Sequence, residues 1–435
     1  MAPSKLTNPT SRAASSSGNL FGLLTAAFYI LFTLLPDSSS LMVSWPWVFL
    51  WQVGWLCPVL WLLGMMWRKQ TRWLGNKLDW LMAVLGVGLL LSVSTAQFPM
   101  QARWYGWVVL CGVAALYAVN SWLTNTARRQ WVLMMQGYLS VGFIVLSLGL
   151  WISQTYLPEL AHLQDLRTYG VDLSFDFSRV NLRNWAPIGH QNYVAGYLAL
   201  ALPLLVGLGL LATDWRRWFW LGGVGLGLIA LFTTSSRIGW LAVLVVAAIA
   251  LGITLWRSTF PRLWLLSGGL GGLIVLILLG LSNNRLRQTV TGLFSGQAGQ
   301  ESAYRLITIA TGWHIGLNFP FTGAGPGGVL SWYQRFRPIW AGREAEQAYQ
   351  LHSTPAHLWA ELGIWSVVVG VGAIALFLIL SIRYFQTQGV QTDDVQLGDR
   401  RLPVVLVIGI CLSLVAYVIV SLFDYQLDNI PISGM

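Results

Sequence analysis

An all-α, polytopic integral membrane protein is the fold class this sequence predicts, from its composition, the length of its apolar runs and the placement of its basic residues. The 435 residues are 55% hydrophobic and only 10% charged, with a mean hydropathy of +0.61. One soluble core cannot absorb that much apolar chain. Runs of roughly 17 to 25 apolar residues are long enough to cross a bilayer as helices. Helix is required because unpaired backbone groups in lipid are costly, and the ten-residue alternation of a transmembrane barrel is missing. The formal charge of +10 is spread over short clusters between apolar runs. That spacing argues against a nucleic-acid face and reads as a topology signal.

A Ser-rich polar tail over residues 1–18 precedes the first run, and no small-residue cleavage site follows it, so the run is read as a span rather than a signal peptide. About eleven spans follow, near residues 19–35, 43–67, 80–96, 104–123, 131–153, 193–212, 218–234, 238–256, 263–281, 357–380 and 403–423. Lys5 and Arg12, then Arg68, Lys69, Arg72 and Lys77, then Arg128 and Arg129, Arg216 and Arg217, Arg257 and Arg262, and Arg383, Arg400 and Arg401 all fall in one set of connections. That set is assigned to the cytoplasm by the positive-inside rule. The intervals 154–192 and 282–356 then face outward. The chain divides into the tail, a transmembrane region over 19–188 and a second region over 189–435 that contains the long outer loop.

The other features fit this frame. Cys57, Cys111 and Cys411 sit in apolar runs without CxxC spacing, so neither a disulfide framework nor a zinc site is indicated. The 25 tryptophans suit interfacial belts. Residues 424–435 read like the approach to a further helix, from a truncated chain, or like a short re-entrant end. No internal repeat is visible, which weighs against an inverted-repeat transporter.

Most candidate chemistry lies between Glu301 and Gly363. Arg237, in Thr234-Ser-Ser-Arg237-Ile-Gly, stands at the outer mouth of a span, where the charge rule disfavours it. A helix N-terminus with a guanidinium suits a phosphate; lipid snorkelling is the structural alternative. Arg305 opens a segment in which Leu306, Ile309, Trp313 and Leu317 share one helical face, as in a helix lying on the membrane surface. His352 precedes a span, and histidine is the residue type whose unperturbed pKa suits a general base. His357 lies five residues on with Pro355 between, which is poor metal-ligand spacing, so no metal or other cofactor is assigned. Glu361 reads as a packing residue. His190 and Asn192 are candidates to line the outer cavity, with helix capping the simpler role for Asn192. The turn Gly323-Ala-Gly-Pro-Gly-Gly328 fits neither a dinucleotide nor a Walker signature, and its amides are candidates to cradle a phosphate. The charged residues from Glu159 to Arg183 read as a solvated lid.

In this order the motifs resemble the O-antigen ligase/polymerase family of bacterial membrane glycosyltransferases, with its Wzy_C domain. The matching pieces are Thr234 to Gly239, Arg305-Leu with Asn318-Phe-Pro-Phe-Thr-Gly-Ala-Gly-Pro-Gly downstream, and His352 followed by Glu361-Leu-Gly363. The family's usual His-Asn here reads His352-Ser353. The resemblance covers roughly 189–380. It implies metal-independent transfer of a glycan from an undecaprenyl-diphosphate carrier to an acceptor hydroxyl on the periplasmic face of the inner membrane. The lipid A core would be the acceptor of a ligase. Arg237 and Arg305 would bind the diphosphate, His352 would deprotonate or orient the hydroxyl, and His190, Asn192 and His357 would help line the substrate site. Polymerases and protein oligosaccharyltransferases share the pattern, and some relatives are associated with inorganic-carbon accumulation. A transporter reading would rest on Asn120 and Gln136, the amides within spans.

Overall fold

A computed structural model describes residues 10–36, 44–257, 261–294, 300–342, 348–388 and 402–435. Lys5, Arg400 and Arg401, used above as topology signals, lie outside them. The described chain is helical, without strands. The helices are α1 (Thr10–Leu34), α2 (Trp47–Trp67), α3 (Leu78–Thr95), α4 (Pro99–Trp122), α5 (Thr126–Trp151), α6 (Leu157–Thr168), α7 (Gln191–Leu211), α8 (Trp215–Thr234) and α9 (Arg237–Arg257). There follow α10 (Arg262–Leu281), α11 (Asn284–Phe294), α12 (Gln300–Asn318), α13 (Val329–Phe336), α14 (Thr354–Leu362), α15 (Ile364–Gln388), α16 (Val404–Phe423) and the short α17 (Ile430–Ser433). Among the described residues, 10 helices are long and apolar enough to cross a membrane, and α1 adds the shorter apolar stretch Leu20–Leu34. This is a polytopic membrane protein.

Three expected boundaries shift. The first helix already begins at Thr10, inside the expected tail. The fifth span does not stop at Ser153: α5 continues through a π-helical turn (Ile152–Tyr156) into α6, a helical run of 43 residues. The tenth expected span, drawn from His357, is two helices broken at Gly363 (φ 61). There the Gly363 amide closes α14 on the Trp359 carbonyl (3.0 Å), and the Ile364 amide is captured by the Pro320 carbonyl (2.8 Å).

Helix α7 is the axis of the fold. It is 78% buried over its most apolar window, against 6% for α10 and α15, and α5, α8, α9 and α16 pack around it. Close approach needs small residues: a methyl on Gly409 would meet the Pro203 carbonyl at 3.0 Å, so α16 crosses α7 almost backbone to backbone. Ser413 Oγ then donates to the Leu200 carbonyl (2.7 Å), a carbonyl in the turn before Pro203. Polar side chains inside the bundle tie helices together. Tyr29 Oη donates to Gln136 Oε1 (3.1 Å), and Gln136 Nε2 donates to Tyr197 Oη (3.3 Å), linking α1, α5 and α7. Asn120 Nδ2 holds the Arg72 and Trp73 carbonyls of a loop (both 3.2 Å). Both amides that the transporter reading rested on therefore have structural partners.

Helices α12, α13 and α14 form a small packed unit. Thr308, Thr311, Gly312, Ile315 and Gly316 of α12 face inward, and Leu306, Trp313 and Leu317 are exposed, so the apolar stripe points out. The glycine turn does not cradle an anion with the amides expected to do so. The amides of Gly323, Ala324, Gly325 and Gly328 donate to the carbonyls of Phe319, Ala360, Glu361 and Gly325. The turn instead clasps the end of α14, using positive φ at Gly323, Gly325 and Gly327. A methyl at Gly363 would lie 2.5 Å from the Pro320 carbonyl. Gly363→Ala therefore combines a clash with a backbone conformation costing about 1–3 kcal/mol. A lowered thermal midpoint of the purified protein is expected, and a midpoint equal to the parent's would refute this account of the clasp.

Candidate active site

The site forms where the ends of several spans meet. Asn283, just beyond α10, donates from Nδ2 to Ser235 Oγ (2.8 Å) and the Phe232 carbonyl (3.3 Å). Asn184, ahead of α7, donates to Thr233 Oγ1 (3.1 Å). Gln426, beyond α16, donates from Nε2 to the Asn192 carbonyl in the first turn of α7 (2.8 Å). The start of α7, the end of α8, the start of α9 and the ends of α10 and α16 thus share one face. Arg216, Arg217, Arg257 and Arg262 stand at the opposite ends of α8, α9 and α10, roughly 30 Å away for helices of about 20 residues.

Four arginines reach this face. Ser235 adopts a left-handed conformation (φ 53) that ends α8, so that Arg237 begins α9. Arg285, on α11, donates from Nη1 to the Ser235 carbonyl (2.8 Å), bracing that turn, and Arg237 Nη1 donates to Thr289 Oγ1 (3.4 Å). Arg183 is 3% exposed, held by the Phe177 and Ser178 carbonyls and Gln191 Oε1. Arg305 is half-buried on α12. Burial, and after it the charges of Arg183, Arg237 and Arg305, push Arg285 down to about 9. Burial also lowers Arg305, with Asp424 opposing the shift. A concentrated positive field in a poorly hydrated setting attracts anions strongly.

Beside the arginines stands a histidine–carboxylate pair. His352 Nδ1 lies 3.0 Å from Asp424 Oδ1. Asp424 is itself positioned: Oδ2 accepts from Gln426 Nε2 (3.2 Å), and its carbonyl accepts from Thr354 Oγ1 (2.8 Å). The Tyr304 ring meets the His352 ring edge-on at 5.3 Å. A carboxylate on Nδ1 selects the tautomer with its proton there, so Nε2 becomes the basic nitrogen. Ser353, which departs from the usual family pattern, caps α14 by accepting from the Ala356 amide (3.5 Å). Serine and asparagine are nearly equivalent in that role, so the departure leaves the local fold intact.

The remaining candidates separate. His190 joins the group: burial lowers its pKa, Asp424 opposes this, and His352, Arg183 and Arg305 reinforce it. It also caps α7, accepting from the Asn192 amide at 3.3 Å, so the cap is His190 rather than Asn192. Asn192 instead accepts from Ser236 Oγ (3.2 Å) and is 9% exposed. His357 lies beneath the site. Its Nε2 is 3.1 Å from Glu361 Oε1, its Nδ1 accepts from the Leu351 amide (3.3 Å), and its ring stacks on Tyr425 at 3.7 Å. Arg237, Arg305, His352 and His190 are thus brought together, whereas Asn192 and His357 hold the wall in place.

Other readings change with the fold. The expected solvated lid keeps exposed pairs such as Arg167–Asp172 (2.9 Å), but its Arg183 is buried in the site. Residues 424–435 fold back on α1 and α7, with Ile432 in the main core and Met435 packed against it. Arg183, Arg285, Gln350, Asp424 and Asp428 carried no sequence motif. A carboxylate directly after an apolar run was the one available signal, for Asp424. Among the described residues, no group of three His, Cys, Asp or Glu side chains forms a metal-binding set.

Fold and site together define a multi-pass membrane protein with a cationic, histidine-bearing cluster at its span ends. Residues 222–369 match the family described as O-antigen ligase (Wzy_C). That match supports an activity of the ligase or polymerase kind, on glycan and lipid-linked substrates in the membrane. The matched segment contains Arg237, Arg285, Arg305 and His352, while Arg183, His190, Asp424 and Asp428 lie outside it. No curated protein and no solved structure matches the chain.

Proposed function

We propose that this protein transfers a glycan from an undecaprenyl-diphosphate carrier to an acceptor hydroxyl, at the periplasmic face of the inner membrane. The observation that carries this reading is the His352–Asp424 pair standing in the field of Arg305, Arg237 and Arg285. Charge supports this face: by the positive-inside rule the basic residues at the far ends of α8, α9 and α10 belong to the cytoplasm, with the arginine–histidine cluster on the other side.

In the proposed step, the acceptor hydroxyl gives its proton to His352 Nε2 while its oxygen bonds to the anomeric carbon of the donor glycan. The bond from that carbon to the diphosphate oxygen breaks, and its electron pair leaves with the diphosphate. Asp424 stabilises the imidazolium that forms. Arg305 and Arg237 bind the diphosphate and offset the charge developing on the leaving oxygen, by donors fixed before the reaction starts. This division of labour requires no metal. His190 lines the site between the two groups, and Asn192 and His357 hold its wall.

Ligation to lipid A core is the reading we adopt. Mass analysis of surface glycans after deletion of the gene tests it. Full-length polymer left unattached to the core is the expected result. Single repeat units on the core would make the protein a polymerase, and an unchanged glycan profile would overturn both.

A further inference from the structure

Residues 350–352 and 424–428 face each other through two side-chain rungs. The first is His352 with Asp424. In the second, Gln350 Nε2 donates to Asp428 Oδ2, while Gln350 Oε1 accepts from Tyr193 Oη. Leu351, between them, is fully buried in the core of the loop unit, so Gln350 and His352 project together from one side of the chain. Asp428 is exposed to solvent beside the His352–Asp424 pair, to which the neighbouring Gln350 contact ties it. Burial pushes its carboxyl up to about 6, with the His357 ring opposing and Glu361 and Asp424 adding. A carboxylate in that setting gains from hydrogen-bond donors.

The site is electrically polar. The guanidiniums of Arg183, Arg237, Arg285 and Arg305 share one region, and His352 stands next to it. The second rung, with its carboxylate, stands beside the His352 rung. An anionic donor group settles at the arginines and is repelled by Asp428. The group that attacks must reach His352 Nε2 from elsewhere, and hydroxyl or amino groups beside it are what a carboxylate accepts from.

Resting on the transfer reaction above, we propose that Asp428 determines acceptor specificity. It takes hydrogen bonds from hydroxyl or amino groups of the acceptor sugar adjacent to the attacking hydroxyl, and it excludes acceptors phosphorylated there. Gln350 and Tyr193 are positioning residues that hold the carboxylate.

The test uses the full-length protein in nanodiscs with a prenyl-diphosphate-linked N-acetylhexosamine as donor. Three acceptor probes are compared: octyl glucoside, its 2-amino analogue and its 6-phosphate. The parent protein is expected to favour the neutral and amino probes over the phosphate by about 10- to 100-fold in kcat/KM, the range of one charge-assisted hydrogen bond gained or lost. Asp428→Asn, which keeps the shape and the Gln350 contact, should erase most of that preference through KM, and Asp428→Glu should restore part of it. The same ranking in Asp428→Asn as in the parent, equal use of the phosphate probe by the parent, or no transfer to any probe overturns the assignment. Donor turnover that depends on His352 in those cases would leave the transferase reading standing. A parent protein that turns over no prenyl-diphosphate donor sinks both.

Discussion

His352→Ala should lower glycan transfer by about 10²- to 10⁴-fold, the range supplied by a positioned general base, while leaving membrane insertion and thermal stability near the parent's. The side chain is partly exposed and bonds one partner through its ring, so its removal opens no core cavity. Asp424→Asn is the sharper companion. An amide at Oδ1 of the same shape no longer selects the productive tautomer of His352, and the loss should approach that of His352→Ala without being additive to it. Transfer from a defined lipid-linked donor by the three proteins measures both. Parent-rate transfer by His352→Ala, with the protein folded, would remove the basis of the proposed chemistry.

The second large effect is expected at Arg305. Arg305→Ala removes a charge-stabilising donor and should reduce transfer by about 10²- to 10³-fold. Its half-buried position on α12 means that Asp424 would also lose an opposing charge, so stability and activity must be read separately. Arg305→Lys keeps the charge but loses the planar fork that suits a diphosphate, and partial recovery is expected. Full recovery would mean that only long-range charge matters at this position. If the alanine variant transferred glycan like the parent, the diphosphate would have to bind elsewhere.

Much of the framework was legible beforehand because bilayer physics is severe. The span starts at Trp47, Leu78 and Val404 lie within a few residues of the expected ones. The displacement at the tenth span has a local cause: Gly363 takes a backbone conformation that other residues avoid, and the chain breaks there although hydropathy runs on through it. Arg237, Arg305 and His352 were legible through their motifs. Asp424 and Asp428 were not, because after an apolar run nothing in local composition says whether a tail points into solvent or folds back. The glycine turn shows the converse error. Its pattern looked suited to an anion, but most of its amides are spent on the carbonyls at the end of α14 and on its own turn.

What the sequence determined by itself was the class of architecture and the approximate ends of most spans, since apolar length is a local property that a membrane reads directly. Only the tertiary structure decided which groups meet. His352 and Asp424 are separated by two spans, α15 and α16, and Arg183 and Arg285 by four, α7 to α10; such contacts depend on how helix ends converge around α7, which packing settles and no local pattern encodes.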